Sequence, residues 1–203
     1  MLSTLVISAI ITLSSCSNTS NNNSNTTETV ESHEGHDHST HEHNHDAEVS
    51  SETQQAEELA QKAPALQLPS FKFYKVKSGI SFTNEDIVKG RKSVFILFDP
   101  SCGHCQSEAG FLAKNYEKIK NINLYFVSMN DPALMSNFLE TFGKELVGKE
   151  NVEVLYDRNQ EFIQKIHIPS QFPANYVYTA EGKLQSSWEG DKDIDYIIKE
   201  YTK

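Results

Sequence analysis

The order of apolar and polar positions after Pro64 predicts strands that alternate with helices. Residues 93–98 form a nearly continuous apolar run of strand length, which is typical of a central strand covered on both faces of a parallel sheet. Beyond this strand, apolar side chains recur at the spacing of one helix face, at Cys105, Ala109, Leu112, Tyr116 and Ile119. Residues 99–101 break the strand, and Ser101 is the predicted N-cap of the helix.

The other segments continue this alternation. Further strands are predicted at residues 71–76 and 80–82, which form a hairpin, at 122–129, at 152–156, and at 174–178 and 183–188, which form a second hairpin. A short helical turn is predicted at residues 84–88, and a short helix through Phe162 and Ile166. A longer predicted helix begins at Asp131 and Pro132 and ends at Gly143, and its apolar face consists of Leu134, Phe138, Leu139 and Phe142. The last predicted helix begins at Asp191, and its apolar face consists of Ile194, Ile197, Ile198 and Tyr201. The fold class is therefore α/β, with a central mixed sheet flanked by helices and an added N-terminal hairpin.

The acidic residues of the chain are concentrated before this predicted domain. The 203 residues carry 18 basic and 28 acidic side chains, which is too few basic groups for a nucleic-acid binder. Ten of the acidic residues precede Pro64, where Lys62 is the only basic residue. This asymmetry predicts one globular unit at residues 64–203, large enough for a sizeable core.

Residues 16–63 are predicted to be a disordered acidic tether. Asn, Ser, Thr and Glu dominate this segment, and such a composition buries too little apolar surface to offset the entropy of ordering. Residues 52–62 favour helix formation but have no apolar face, so any helix there is expected to be transient.

Residues 1–15 predict a bacterial lipoprotein signal peptide. The segment is apolar but too short to span a bilayer, and Leu13-Ser-Ser-Cys16 resembles the lipobox at which lipoproteins are cleaved and acylated on cysteine. No Lys or Arg precedes Cys16, so simple cleavage of a secretory signal and a cytosolic apolar N-terminus stay open as alternatives. Acylation of Cys16 predicts an extracytoplasmic protein anchored in a bacterial membrane, on the periplasmic side or at the cell surface.

The tether contains a histidine tract with two interpretations. Its six imidazoles alternate with acidic residues, at His33, His36, His38, His41, His43 and His45. Neutral imidazole binds zinc, copper and nickel, and a flexible tract offers several alternative sets of ligands. The other interpretation is a solvated spacer whose imidazoles become charged near pH 6.5.

The motif Cys102-Gly-His-Cys105 lies where the central strand passes into the helix, and it predicts redox chemistry. A helix N-terminus stabilises a thiolate, so Cys102 at the helix start is the predicted nucleophile and Cys105, one turn deeper, the resolving thiol. His104 adds a positive charge or a hydrogen bond beside Cys102. Glu108, on neighbouring helix surface, is a candidate proton shuttle, with an exposed helix carboxylate as the alternative.

With these motifs, residues 64–203 resemble a thioredoxin-like domain, specifically the membrane-anchored, extracytoplasmic TlpA/ResA type of the redoxin family. The resemblance rests on the dithiol after a buried strand, on Glu108, on Pro173 directly before a strand, and on the hairpin turn that ends at Gly182. It implies that Pro173 is cis and packs against the disulfide, and that Glu108 is an active-site acid. The chain departs from the pattern at Ser101, where many thioredoxins have tryptophan, at Ile96, which replaces their buried aspartate, and at Ala109, which replaces a frequent proline.

The function predicted from these residues is a monomeric thiol-disulfide oxidoreductase that needs no cofactor beyond the disulfide of Cys102 and Cys105. Its expected partners are protein thiols and disulfides and an upstream redox protein. A zinc site is disfavoured because the domain has no third cysteine, and a structural disulfide because its loop is too small to stabilise much. The main alternative is a metallochaperone in which both thiols take up copper collected by the histidine tract. His167 is expected to be structural or solvated.

Overall fold

The computed structural model describes residues 63–203. The predictions for the signal peptide, Cys16, the tether and the histidine tract fall outside these residues. The strands of the described part are β1 (Lys72–Lys75), β2 (Ser81–Thr83), β3 (Ser93–Leu97), β4 (Asn123–Ser128), β5 (Val152–Tyr156), β6 (Ala174–Tyr178) and β7 (Leu184–Glu189). The helices are α1 (Gly103–Lys114), α2 (Tyr116–Ile119), α3 (Pro132–Met135), α4 (Phe138–Phe142), α5 (Glu161–Lys165) and α6 (Ile194–Thr202), with 3-10 turns at Asn84–Asp86 and Lys144–Leu146.

The strands form one mixed sheet in the order β2-β1-β5-β4-β3-β6-β7. Strands β3, β4 and β5 are parallel, while β6 pairs antiparallel with both β3 and β7, and β1 pairs antiparallel with both β2 and β5. The predicted α/β fold with a mixed sheet and a hairpin at each end is therefore confirmed.

Strand β3 is apolar throughout because both faces of the sheet are covered there. Val94 and Ile96 belong to the core on the side of α1 and α6, whereas Phe95 and Leu97 belong to the core on the opposite side. Successive side chains of a strand point to opposite faces of the sheet. When both faces are buried, both sets of side chains are apolar, and the strand does not alternate between apolar and polar residues. This burial fixes the end of β3, and with it the start of the loop that carries the dithiol.

Two predicted helices are divided in the structure. The first ends at Asn115, whose side-chain Nδ2 donates a hydrogen bond to the Phe111 carbonyl oxygen at 3.0 Å and so competes with the regular backbone pattern. The second is split at residues 136–137, and Ser136 Oγ donates to the carbonyl oxygen of Ala133 at 3.0 Å. The single apolar face predicted through Leu134 was therefore wrong: Leu134 is 64% exposed, and Met135 is buried in its place.

Two predicted helix starts also need correction. Cys102 and not Ser101 is the N-cap of α1, because the Ser101 hydroxyl donates to Asp99 Oδ1 instead of accepting from the helix. The last helix begins at Ile194 with Asp193 as its N-cap, and the Asp193 carboxylate accepts from the backbone N–H of Asp195. Asp191 is thereby left in the loop before α6. Within residues 63–203, no helix has the length and apolar character needed to cross a membrane.

Candidate active site

The loop between β3 and α1 presents the two thiols at the start of the helix. The Asp99 carboxylate accepts hydrogen bonds from the backbone N–H and hydroxyl of Ser101 at 2.7 and 2.6 Å. On the other side of the loop, Gln106 Nε2 donates to the Pro100 carbonyl oxygen at 3.0 Å. These bonds fix the backbone that leads into Cys102, whose own N–H donates to the Asp99 carbonyl oxygen at 3.1 Å.

The two thiols differ in their exposure. Both are free, but Cys102 is half-buried at the helix start whereas Cys105 is only 2% exposed. Burial raises the pKa of Cys105 well above its usual range, and the neighbouring Cys102 and Glu108 raise it further. Cys102 is therefore the sulfur that an incoming molecule reaches, and Cys105 holds its proton until another group removes it.

The loop before β6 contains the cis proline that the resemblance implied, and it approaches Cys102 through the residue before Pro173. The Phe172–Pro173 peptide bond is cis, and the Phe172 carbonyl oxygen is 3.9 Å from Cys102 Sγ, close enough to accept from the thiol. The pairing of Ala174 with Leu97 between β6 and β3 brings this loop to the end of the central strand. The Cys102 thiol thus lies between the N-terminus of α1 and the backbone carbonyl group of Phe172.

Glu108 is buried and not on the helix surface, so this part of the sequence prediction was wrong. Its side chain is 2% exposed on the buried face of α1, one turn after Cys105. Asn175 Nδ2 donates to its two carboxylate oxygens at 3.0 and 3.3 Å, and the Tyr201 hydroxyl donates to Asn175 Oδ1. Burial raises the pKa of Glu108 to about 7; the Asn175 hydrogen bonds oppose this shift, and the negative charge of Asp191 adds to it.

His104 is exposed, and its charged neighbour is a carboxylate. Its Nδ1 is 3.5 Å from Asp191 Oδ2, and the two side chains are 67% and 58% exposed. Asp191 therefore lies at the exposed mouth of the site, where it contacts His104, and its negative charge raises the pKa of the buried Glu108.

Sequence reasoning missed three residues of this site. Asn175 carried a recognisable signal, because it is a polar residue inside an otherwise apolar strand directly after the proline. Tyr201 was assigned only to an apolar helix face, and Asp191 only to a helix start. Neither carries a sequence signal of its own, since the fold brings them to Glu108 from the last helix and its preceding loop.

His167 is structural, as expected. Its Nδ1 is 2.7 Å from the Tyr176 hydroxyl and 3.4 Å from Glu189 Oε1. The backbone N–H and hydroxyl of Ser170 also donate to Glu189, at 2.8 and 2.6 Å. The contacts of His167 and Ser170 with Glu189 hold the loop before β6, which contains Phe172, against strand β7.

No cluster of three or more His, Cys, Asp or Glu side chains placed to hold a metal ion occurs among residues 63–203. The six histidines of the tract fall outside this range. Within the described residues, the dithiol thus has two sulfur ligands and no third protein ligand.

A dithiol at the start of a helix, a cis proline beside it and the mixed sheet define a protein of the thioredoxin-like class. The chain belongs to the AhpC/TSA family, whose model matches residues 59–187. No curated protein matches it in sequence.

Solved structures similar to this chain share its fold. DsbF of MTB, in mixed oxidized and reduced forms, is 20% identical with a TM-score of 0.53, over 70% of this chain and 98% of that one. A secreted Mycobacterium tuberculosis disulfide oxidoreductase homologous to E. coli DsbE is 19% identical with a TM-score of 0.51, over 64% and 93%. Arabidopsis thaliana ScoI with copper bound is 15% identical with a TM-score of 0.51, over 67% and 98%. At these identities the likeness concerns the fold.

Proposed function

We propose that this protein is a thiol-disulfide oxidoreductase in which Cys102 is the nucleophile and Cys105 the resolving thiol. The observation that carries the proposal is the unequal burial of two free thiols on one helix turn, with a buried carboxyl group one turn further on. Membership of the AhpC/TSA family supports it, as does the fold shared with disulfide oxidoreductases.

The proposed reaction is disulfide exchange in two steps. The Cys102 thiolate attacks one sulfur of a substrate disulfide, a bond forms between these two sulfurs, and the other substrate sulfur leaves as a thiolate that takes up a proton. Cys105 then loses its proton and attacks Cys102, which releases the second substrate sulfur. The substrate disulfide gains two electrons, and the dithiol loses them as the Cys102–Cys105 disulfide forms. The same steps in reverse oxidise a substrate dithiol.

Glu108 is the proposed proton acceptor for Cys105. A buried thiol with a raised pKa needs a base close by, and Glu108 follows it by one helix turn inside the same apolar enclosure. A carboxyl group whose pKa is about 7 accepts and returns a proton near neutral pH, which suits a cycle that needs both transfers.

We further propose that the enzyme is of the extracytoplasmic TlpA/ResA type and is anchored in a bacterial membrane through acylated Cys16. The apolar segment at residues 1–15 and its lipobox-like end support this placement. Its partners are then protein disulfides outside the cytoplasm and a redox protein that restores the dithiol. The protein acts as a monomer.

Copper binding is the second candidate function. A copper-bound protein, Arabidopsis thaliana ScoI, shares the fold, and soft thiolates favour Cu(I). The histidine tract would collect the ion for Cys102 and Cys105. Among residues 63–203, the dithiol offers two thiolates and no third protein ligand, so Cu(I) would be held there by the two sulfurs alone.

Trapping of mixed disulfides tests the redox proposal. In Cys105→Ser, the intermediate between Cys102 and a substrate cannot be resolved, so partner adducts should accumulate in the cell envelope and disappear with reductant on a non-reducing gel. Cys102→Ser is the matched control, because its remaining thiol is buried and should capture little. Equal trapping by both variants, or none by either together with tight one-to-one Cu(I) binding by the unmodified protein, contradicts the proposal.

A further inference from the structure

We infer that Asn175 and Tyr201 are positioning residues that orient the Glu108 carboxylate for proton exchange with Cys105. The inference deepens the proposed function and rests on it. It starts from a hydrogen-bonded chain across three elements, in which Tyr201 on α6 contacts Asn175 on β6, and Asn175 contacts Glu108 on α1.

All three side chains are removed from water. Asn175 and Tyr201 are fully buried, and Glu108 is nearly so. A buried polar group without a partner costs as much as a lost hydrogen bond, so each of these groups depends on the next one in the chain. A merely structural core would accept apolar residues here, since the neighbour of Asn175 on β3 is Ile96, and Tyr201 packs against Trp188 with ring centroids 5.9 Å apart.

The order of donors and acceptors gives the chain its direction. Burial raises the pKa of Tyr201 well above its ordinary value, so its hydroxyl keeps a proton to donate to Asn175 Oδ1. The amide therefore turns Nδ2 toward Glu108 and offers that carboxylate only donors. When Glu108 carries a proton, Asn175 cannot accept it, and the proton must point to another side of the carboxyl group.

The ionisable groups that face Glu108 identify that side. Cys105 lies one turn back on the same helix, Asp191 approaches from the loop after β7, and Tyr201 lies behind the amide. Tyr201 donates to Asn175, and Asn175 donates to Glu108, so neither accepts a proton from the carboxyl group. The proton of Glu108 is therefore directed to Cys105 or to the mouth of the site at Asp191.

Titration of Glu108 in Tyr201→Phe tests this arrangement without any substrate. The carboxyl ¹³C shift of Glu108 is followed against pH by NMR in the full-length, reduced protein, and is assigned by its absence in Glu108→Gln. Loss of the hydroxyl frees the amide to rotate and present its oxygen, which favours protonated Glu108. We expect the titration midpoint to rise by about one pH unit, since one hydrogen bond to a charged group is of that order.

Tyr178→Phe is the matched control. Tyr178 is also a fully buried tyrosine, and its hydroxyl donates to the Ala65 carbonyl oxygen at 3.0 Å, away from Glu108. It should lose similar stability and leave the midpoint unchanged. Asn175→Leu, which keeps the volume but removes the donor, should raise the midpoint as Tyr201→Phe does; if it does not fold, Tyr201→Phe decides alone.

A midpoint in Tyr201→Phe equal to that of the unmodified protein and of Tyr178→Phe would overturn the inference and leave Tyr201 a packing residue. This outcome is distinct from failure of the proposed function. The titration needs no turnover, whereas the proposed function fails if the unmodified protein does not reduce insulin and Cys105→Ser traps no partners.

Discussion

The replacement Glu108→Gln should make the protein more stable at pH 8 and slower in disulfide exchange. The folded protein binds the Glu108 proton up to a pKa of about 7, whereas the unfolded chain releases it near the ordinary value of 4.5. Between these values the native state binds more protons than the unfolded state, so this group lowers stability as the pH rises. Glutamine keeps the shape of the side chain and has no proton to lose.

The size of the effect follows from the interval between the two pKa values. A difference of one pH unit corresponds to 1.36 kcal/mol, so the interval from 4.5 to about 7 corresponds to about 3 kcal/mol. The free energy of unfolding of the unmodified protein should therefore fall by about this amount, relative to Glu108→Gln, between pH 4 and pH 8. The other ionisable groups are common to both proteins and cancel in the difference.

Urea unfolding of both reduced proteins at pH 4, 6 and 8 measures this difference. Glu145→Gln makes the same replacement at an exposed position and is the matched control. In insulin reduction at pH 7.5, loss of a positioned base should slow Glu108→Gln by roughly a hundredfold. A stability difference that is the same at all three pH values would refute the reasoning, because the pKa of Glu108 would then be the same in the folded protein as in the unfolded chain.

Two further predictions concern the residues before the domain. Deletion of residues 33–45 should leave insulin reduction unchanged, with or without a chelator, because the proposed chemistry uses only the dithiol and its neighbours; loss of activity would favour the metal-binding alternative. Mass spectrometry of protein from native membranes should find acylated Cys16 as the first residue, and an unmodified N-terminus elsewhere would contradict the lipoprotein proposal.

The fold was predictable because its central strands carry strong local signals. An apolar run such as residues 93–98 is typical of a central strand that is buried on both faces of a sheet. The turns at Gly79 and Gly182 have positive φ values, which glycine adopts without strain. Helix interruptions were less predictable. Asn115 ends α1 through one side-chain hydrogen bond, and no change in the apolar pattern indicates this break.

The dithiol was predictable from spacing, but the surroundings of Glu108 were not. A glutamate on a helix is usually exposed, and its burial here depends on a partner that is 67 residues away in the sequence. Asn175 in turn depends on Tyr201 from the last helix. The hydrogen bonds among Glu108, Asn175 and Tyr201 form only when β6 and α6 have packed against α1. The sequence of a single segment therefore does not predict them.

The position of this buried acid explains a departure from the thioredoxin pattern. Ile96 stands on β3 where thioredoxins carry their buried aspartate, so the central strand supplies no carboxylate beneath the dithiol. Ile96 is paired in register with Asn175, and Asn175 binds Glu108. The acid therefore reaches the same neighbourhood from the helix instead of the strand. Glutamate has one more rotatable bond than aspartate, and in the proposed arrangement Asn175 and Tyr201 hold its carboxylate in place.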